Sequence, residues 1–226
     1  MAKKKSNDDN LINVDEVYTK TEQFVDKYRS TLTIVLGGAA GLILLSAAYK
    51  YLVIDANEEK AELAMFTAEH YFSKDSIDYA LYGDGVSAGL EEILNDHSGT
   101  YAASRAAYLI GVSNRDAGLF EDAISAFEEV NLSDDILMPF ALAGIGDCYT
   151  DMGDYASAEP YFEDAASAAD AGLAAKAIAA NFHYKRALVL IELGNNSEAK
   201  DVLNHIVEDH PNSRLFKTAQ ALQASL

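Results

Sequence analysis

IGVSNRDAGLFEDAISAFEEV (110–130) and IGDCYTDMGDYASAEPYFEDA (145–165) are two copies of one pattern. Ile110 pairs with Ile145, Gly111 with Gly146, Gly118 with Gly153, Phe120 with Tyr155, Ala123 with Ala158 and Phe127 with Phe162, all 35 positions apart. A third copy, RALVLIELGNNSEAKDVLNHI (186–206), carries Ala187, Leu190, Gly194, Ala199 and Leu203, with Pro211 closing it. Gly153 and Gly194 stand 41 apart, about six more than the first interval, and the extra residues fall in DAASAADAGLAA (164–175). A fixed period of this length marks a stack of supersecondary units.

The physics of the pattern is a helix hairpin. A small residue at Gly111, Gly146 or Ala187 lets the first helix lie close to its partner. Gly118, Gly153 and Gly194 stand where that helix must end and the chain turn, which suits a positive φ. Ala123, Ala158 and Ala199 keep the second helix near the first, and Phe127, Phe162 and Leu203 fill the space between hairpins. One hairpin cannot bury its apolar face alone, so neighbours must stack. Pro160 falls early in the second helix of the middle copy, where the lost hydrogen bond costs little and a kink is one possible outcome.

The pattern resembles the tetratricopeptide repeat, over residues 104–131, 139–166 and 180–211. It departs from the usual motif at Ala107 and Leu142, where an aromatic is expected. Upstream, 61–84 reads as a long helix followed by an irregular loop and 85–100 as a second helix, together a degenerate first repeat. Residues 213–226 read as a terminal helix with Leu215, Ala219 and Leu222 on one face, capping the stack.

Before the repeats stands TLTIVLGGAAGLILLSAAYKYLV (31–53), uncharged from Thr31 to Tyr49. A helix of that length spans roughly 28 Å, close to the ~30 Å of a bilayer core. A soluble core helix would show a polar face. A cleaved export signal would follow a short basic start, whereas 30 residues with six acidic ones come first here. The reading is an uncleaved membrane anchor. Lys27 and Arg29, with Lys20 and Lys3–Lys5 behind them, outweigh Lys50, so the N-terminus is expected in the cytoplasm. Gly37 and Gly41 form a GxxxG pair, a candidate contact for another membrane helix. The expected organisation is a cytoplasmic segment (1–30), a transmembrane helix (31–54) and an all-α tetratricopeptide solenoid (55–226). Residues 1–10 read as a tail, and 11–30 as a short amphipathic helix or an extension without a partner.

Charge narrows the partners. Of 17 Lys/Arg and 36 Asp/Glu, residues 51–226 hold ten and thirty, so that part carries about −20. Such a domain cannot hold nucleic acid by neutralising phosphates. A single cysteine, Cys148, permits no internal disulfide and reads as a small buried residue. Five histidines make no HExxH or CxxC-type motif, and His205 and His210 read as surface residues near a helix end. No phosphate loop, nucleophile elbow or dinucleotide fingerprint occurs. No catalytic residue, cofactor or metal is expected. DSI at 75–77 is similar to a short O-glycosylation motif, with Ser76 as its acceptor.

An N-in anchor followed by an acidic tetratricopeptide domain resembles the YfgM-like family of ancillary Sec translocon subunits. NEEKAELAMFTAEHYF after the span, DSIDYALYGDG and FEEVNLSDDILMPFALAGIGDCY look like the version in Bacteroidota. The resemblance covers most of 15–226. It implies a bacterial inner-membrane protein with a periplasmic C-terminal domain, placed beside SecYEG. Its implied partners are a membrane-anchored prolyl-isomerase-like chaperone and exported polypeptides. The other reading is a scaffold for a different envelope machine, in cell-wall synthesis or secretion. In tetratricopeptide stacks the first helix of each hairpin lines the concave face. That places Arg105, Tyr108 and Arg115 in a partner-binding groove, with Phe140 and Asp147 from the next hairpin and Asn181 and Tyr184 from the last. Val112, Leu188 and Ile191 belong to the groove or to the core between repeats. The Lys/Asn set of carboxylate-clamp repeats is missing from this reading, and Asp147 and Asp151 would repel a C-terminal carboxylate.

Overall fold

The computed structural model describes residues 14–131, 134–172 and 178–226, with side chains from Val25 onward except Asp26 and Val53. The tail read at 1–10 and the end of the insertion, 173–175, lie outside the described residues. Among the described residues every regular element is a helix. The chain divides into two compact units between Asp55 and Ala56.

The first unit holds α1 (Val14–Tyr49), whose helical path breaks at Tyr28 (φ −110°, ψ 15°), and a π-helical turn, Lys50–Ile54. Among the described residues, one helix is long and apolar enough to cross a membrane, with a mean hydropathy of 2.0 in its most apolar window and none of that window buried. Leu36, Leu42, Ile43, Leu44 and Leu45 are each about two-thirds exposed. An exposed apolar band of this size marks a surface that meets a membrane or another protein.

The second unit is a stack of hairpins. It begins with α2 (Asp55–Ser73), a short α3 (Ile77–Tyr82) and α4 (Leu90–Asp96). The long upstream helix thus starts earlier than the sequence suggests and ends at Ser73, where Asp75 takes a positive φ of 59°. The second helix there is also shorter than 85–100. Asp84 organises the connection: Oδ1 accepts from the Val86 and Ser87 N–H groups, and Oδ2 from the Tyr71 hydroxyl. Ser76 stands half-buried at the start of α3.

Three regular hairpins follow: α5 (Tyr101–Asp116) with α6 (Phe120–Glu128), α7 (Leu137–Asp151) with α8 (Tyr155–Ala171), and α9 (Ala179–Glu192) with α10 (Asn196–Asp209). Their turns pass through Gly118, Gly153 and Gly194 at φ 79°, 80° and 78°, the left-handed region where a Cβ is costly. α11 (Phe216–Ser225) closes the end, with Ala219 buried. α8 runs unbroken through Pro160. It is 17 residues long against 9 for α6, so part of the insertion extends this helix.

The apolar interior is a relay of four clusters. Ala61, Met65, Leu90 and Ile93 join α2 and α4 to Ala102 and Ala106 of α5. Ala107, Ala123, Phe127, Ile145 and Cys148 bind α5, α6 and α7. Phe162, Ala165 and Phe182 bind α8 to α9, and Leu190, Leu203, Ile206 and Ala219 bind α9, α10 and α11. Each first helix therefore serves two clusters, as stacking requires. Arg186 adds a polar clamp, with Nε 2.5 Å from Glu159 of α8 and Nη2 3.0 Å from Glu198 of α10.

Candidate functional site

The first helices of the three hairpins bring Tyr108, Arg115, Phe140, Asp147 and Asn181 together around one groove. Its floor is a run of rings. Tyr108 lies 5.7 Å from Phe127 and 6.4 Å from Phe140, which meets Phe182 edge-on at 5.7 Å. Offset and edge contacts of this kind hold aromatic side chains in fixed positions. Phe182 and Phe127 are buried, while Phe140 keeps 37% of its surface exposed. Burial, with the negative charge of Asp147 behind it, raises the Tyr108 phenol above its usual value, so it stays protonated.

One edge of the groove is ionic. Arg115 places Nε 2.8 Å from Asp151 and Nη1 3.2 Å from Asp147, while Lys185 Nζ reaches both Asp147 oxygens at 2.7 and 2.6 Å. These pairs join α5 to α7 and α7 to α9, so they also fix the spacing of the hairpins. The carboxylates thus do not stand as bare negative charge, as the sequence suggested. Asn181 and Lys185 do line the groove, so amide and ammonium groups of the carboxylate-clamp type are present, but Asp147 already holds the ammonium. The cavity encloses ≈ 230 Å³, below the ~300–1,000 Å³ of typical small-molecule pockets. That volume has room for one or two side chains.

Two expected groove residues lie elsewhere. Arg105 is clamped to α2: Nη1 reaches Glu62 at 3.0 and 2.9 Å, and Nε and Nη2 both reach Glu69. Glu62 and Glu69 stand two turns apart on one face of α2, so they straddle the guanidinium from both sides. Tyr184 packs on the cluster shared by α9, α10 and α11. Leu188 is 42% exposed and is no core residue, whereas Ile191 packs on that last cluster. Val112 both lines the groove and packs on the second cluster. Phe182 and Lys185 were missed by the sequence reading, although they flank the expected Asn181 and Tyr184 by a single position.

Cys148 is fully buried, and burial pushes its thiol up to about 11. At neutral pH it carries no thiolate and fills space, as expected of a structural cysteine. Gly37 and Gly41 stand on an exposed stretch of α1, where a Cβ would meet nothing within 4 Å. The histidines require a correction. His210, read as a surface residue, is only 8% exposed, whereas the His205 side chain keeps 39% of its surface; His183 is buried as well, at 9%. His183 and His210 converge with His205 on Asp170, near the end of the lengthened α8.

Residues 149–224 match the family model of the tetratricopeptide repeat. No curated protein matches the chain. The matched span runs from the end of α7 into α11 and so includes the third hairpin, the most divergent copy by sequence. The protein carries a tetratricopeptide helical-repeat domain, an architecture that serves as a protein–protein interaction scaffold.

Proposed function

We propose that this protein is a non-catalytic, membrane-anchored adaptor that accompanies the Sec translocon and a membrane-anchored prolyl-isomerase-like chaperone during protein export. In this reading residues 1–30 lie in the cytoplasm, 31–54 span the inner membrane and 55–226 work in the periplasm. Gly37 and Gly41 offer a side-chain-free strip to a second membrane helix. The groove of α5, α7 and α9 holds an extended segment of the chaperone or of an exported chain. The observation that carries the reading is the ladder Tyr108–Phe140–Phe182, buried at Phe182 and exposed at Phe140, edged by Arg115, Asp147 and Lys185. Aromatic anchors beside a polar rim are what peptide recognition uses. The assignment to the translocon draws on the resemblance of the whole layout to YfgM-like proteins.

Photo-crosslinking from intact membranes tests it, with probes at Gly41 and Phe140. Expected are crosslinks from Gly41 to the Sec channel, and from Phe140 to a prolyl-isomerase-like chaperone or to varied exported chains. One unrelated envelope protein at both probes would replace this reading with a scaffold for cell-wall synthesis or secretion.

A further inference from the structure

Asp170, His183, His205 and His210 come from four places in the chain: the end of α8, the first turns of α9, the middle of α10 and the residue after it. Their ligand-capable atoms all lie within 4.8 Å of one another. Every imidazole turns Nε2 toward the one carboxylate. His183 Nε2 is 2.7 Å from Asp170 Oδ2, His205 Nε2 3.3 Å from the same oxygen, and His210 Nε2 3.2 Å from Oδ1.

Hydrogen bonding alone does not satisfy this arrangement. The Nδ1 of His205 lies 2.8 Å from Asp209 Oδ2 and its Nε2 3.3 Å from Asp170 Oδ2, so both ring nitrogens face carboxylates. A neutral His205, in either tautomer, aims its one ring lone pair at a carboxylate oxygen. The Nε2 of His210 is buried and makes no hydrogen bond, although Asp170 is in reach. A cation among the four groups resolves both, because lone pairs and carboxylate then face a positive charge.

We infer that Asp170, His183, His205 and His210 form a four-coordinate site for a divalent transition metal, Zn²⁺ above all. Tetrahedral zinc with ligands at ~2.0–2.1 Å places its donor atoms roughly 3.3 Å apart. The contacts of His205 and His210 with the two Asp170 oxygens are at 3.3 and 3.2 Å, while the 2.7 Å contact of His183 and the donor pairs spread over as much as 4.8 Å adjust as the metal enters. Three imidazoles and one carboxylate suit zinc, whereas Ca²⁺ and Mg²⁺ require oxygen shells. Asp209 supplies the outer carboxylate that orients a ligating histidine and fixes its tautomer. Asp201, which shares the cleft with Asp170, His183 and His205, adds negative potential, while Glu163 there is paired with Arg186 at 3.2 Å. The metal ties α8 of the second hairpin to α9 and α10 of the third, a staple across the repeat boundary.

The test uses the full chain in detergent, purified without a polyhistidine tag and stripped with a chelator. Cobalt(II) alone is then titrated in. Expected are the intense visible bands of four-coordinate Co²⁺, saturating at one equivalent, bleached by Zn²⁺, with a rise in Tm on zinc addition. His183→Ala and His210→Gln abolish the bands and the Tm rise, His70→Gln keeps both, and Asp209→Asn weakens binding ~10–100-fold. X-ray absorption of the zinc-loaded wild-type chain should give three imidazoles and one oxygen, a readout that stands even where a variant fails to fold. A pale six-coordinate cobalt spectrum from the wild-type chain would overturn the site, as would unchanged binding in a folded His210→Gln protein.

Discussion

The ring of Phe127 lies between two helices that present no side chain where it touches them. A Cβ built on Gly111 of α5 would stand 2.7 Å from Cδ1 and Cε1 of the ring, and one on Gly144 of α7 would stand 2.7 Å from its Cζ. The ring is 2% exposed and touched by both glycines, so it has little room to move away from an added methyl group. Alanine in mid-helix gains about 1 kcal/mol over glycine from backbone entropy, while overpacking costs typically 1–3 kcal/mol. The clash wins here because the ring is confined at both glycines. Gly111→Ala is expected to lower stability by about 1–2 kcal/mol in chemical denaturation, and a Phe127→Leu background should recover most of that loss in a double-mutant cycle. Gly111 was legible as a close-approach residue because it recurs with the repeat. Gly144 was not, since its partner ring comes from the neighbouring hairpin and no copy repeats it.

The start of α8 is closed by Asp154, whose Oδ1 accepts from the Ser157 N–H at 3.1 Å and Oδ2 from the Ser157 hydroxyl at 2.7 Å. Those two hydrogen bonds hold its carboxyl below the ordinary carboxylate range. A group with a depressed folded-state value stabilises above its unfolded pKa of ~3.9 and loses that contribution as pH falls through the lower value. The cap is therefore intact at pH 5 and released only in stronger acid. Asp154→Ala should speed amide exchange in the first turn of α8 at pH 5 to 7 and abolish the acid-dependent change there, while Asp154→Ser should keep most of the protection. Elements of this kind were readable where chemistry is local. The three turn glycines announced themselves because few other residues tolerate their φ. The irregular connection after Ser73 did not, because it depends on Asp84 gathering the Val86 and Ser87 N–H groups with the Tyr71 hydroxyl. Arg105 was misplaced for a related reason: its partners Glu62 and Glu69 belong to α2, which follows no repeat, so no register pointed to them.

Across the whole molecule, about −20 charges on residues 51–226 repel one another. Bridging pairs such as Arg115–Asp147, Lys185–Asp147 and Arg186–Glu159 offset part of that repulsion and are partly buried. Salt reaches exposed charges first: the screening length falls from ~30 Å at 0.01 M to ~8 Å at 0.15 M. The Tm of the full chain in non-ionic detergent should therefore rise between these two salt concentrations, and a fall would mean that the ion pairs outweigh the surface field. The stack of hairpins and most of the groove could be read from the sequence, since the concave positions of one copy predict those of the next. The cluster of three histidines and Asp170 could not, because its members share no period and meet only through the length of α8. That length has an evolutionary corollary. The residues that break the cadence of the repeats write a pattern of their own, D-x12-H-x21-H-x4-H from Asp170 to His210. A chain that keeps the histidines but restores the 35-residue interval would carry its aspartate about two turns short of them, so loss of the metal and loss of the insertion should be inherited together.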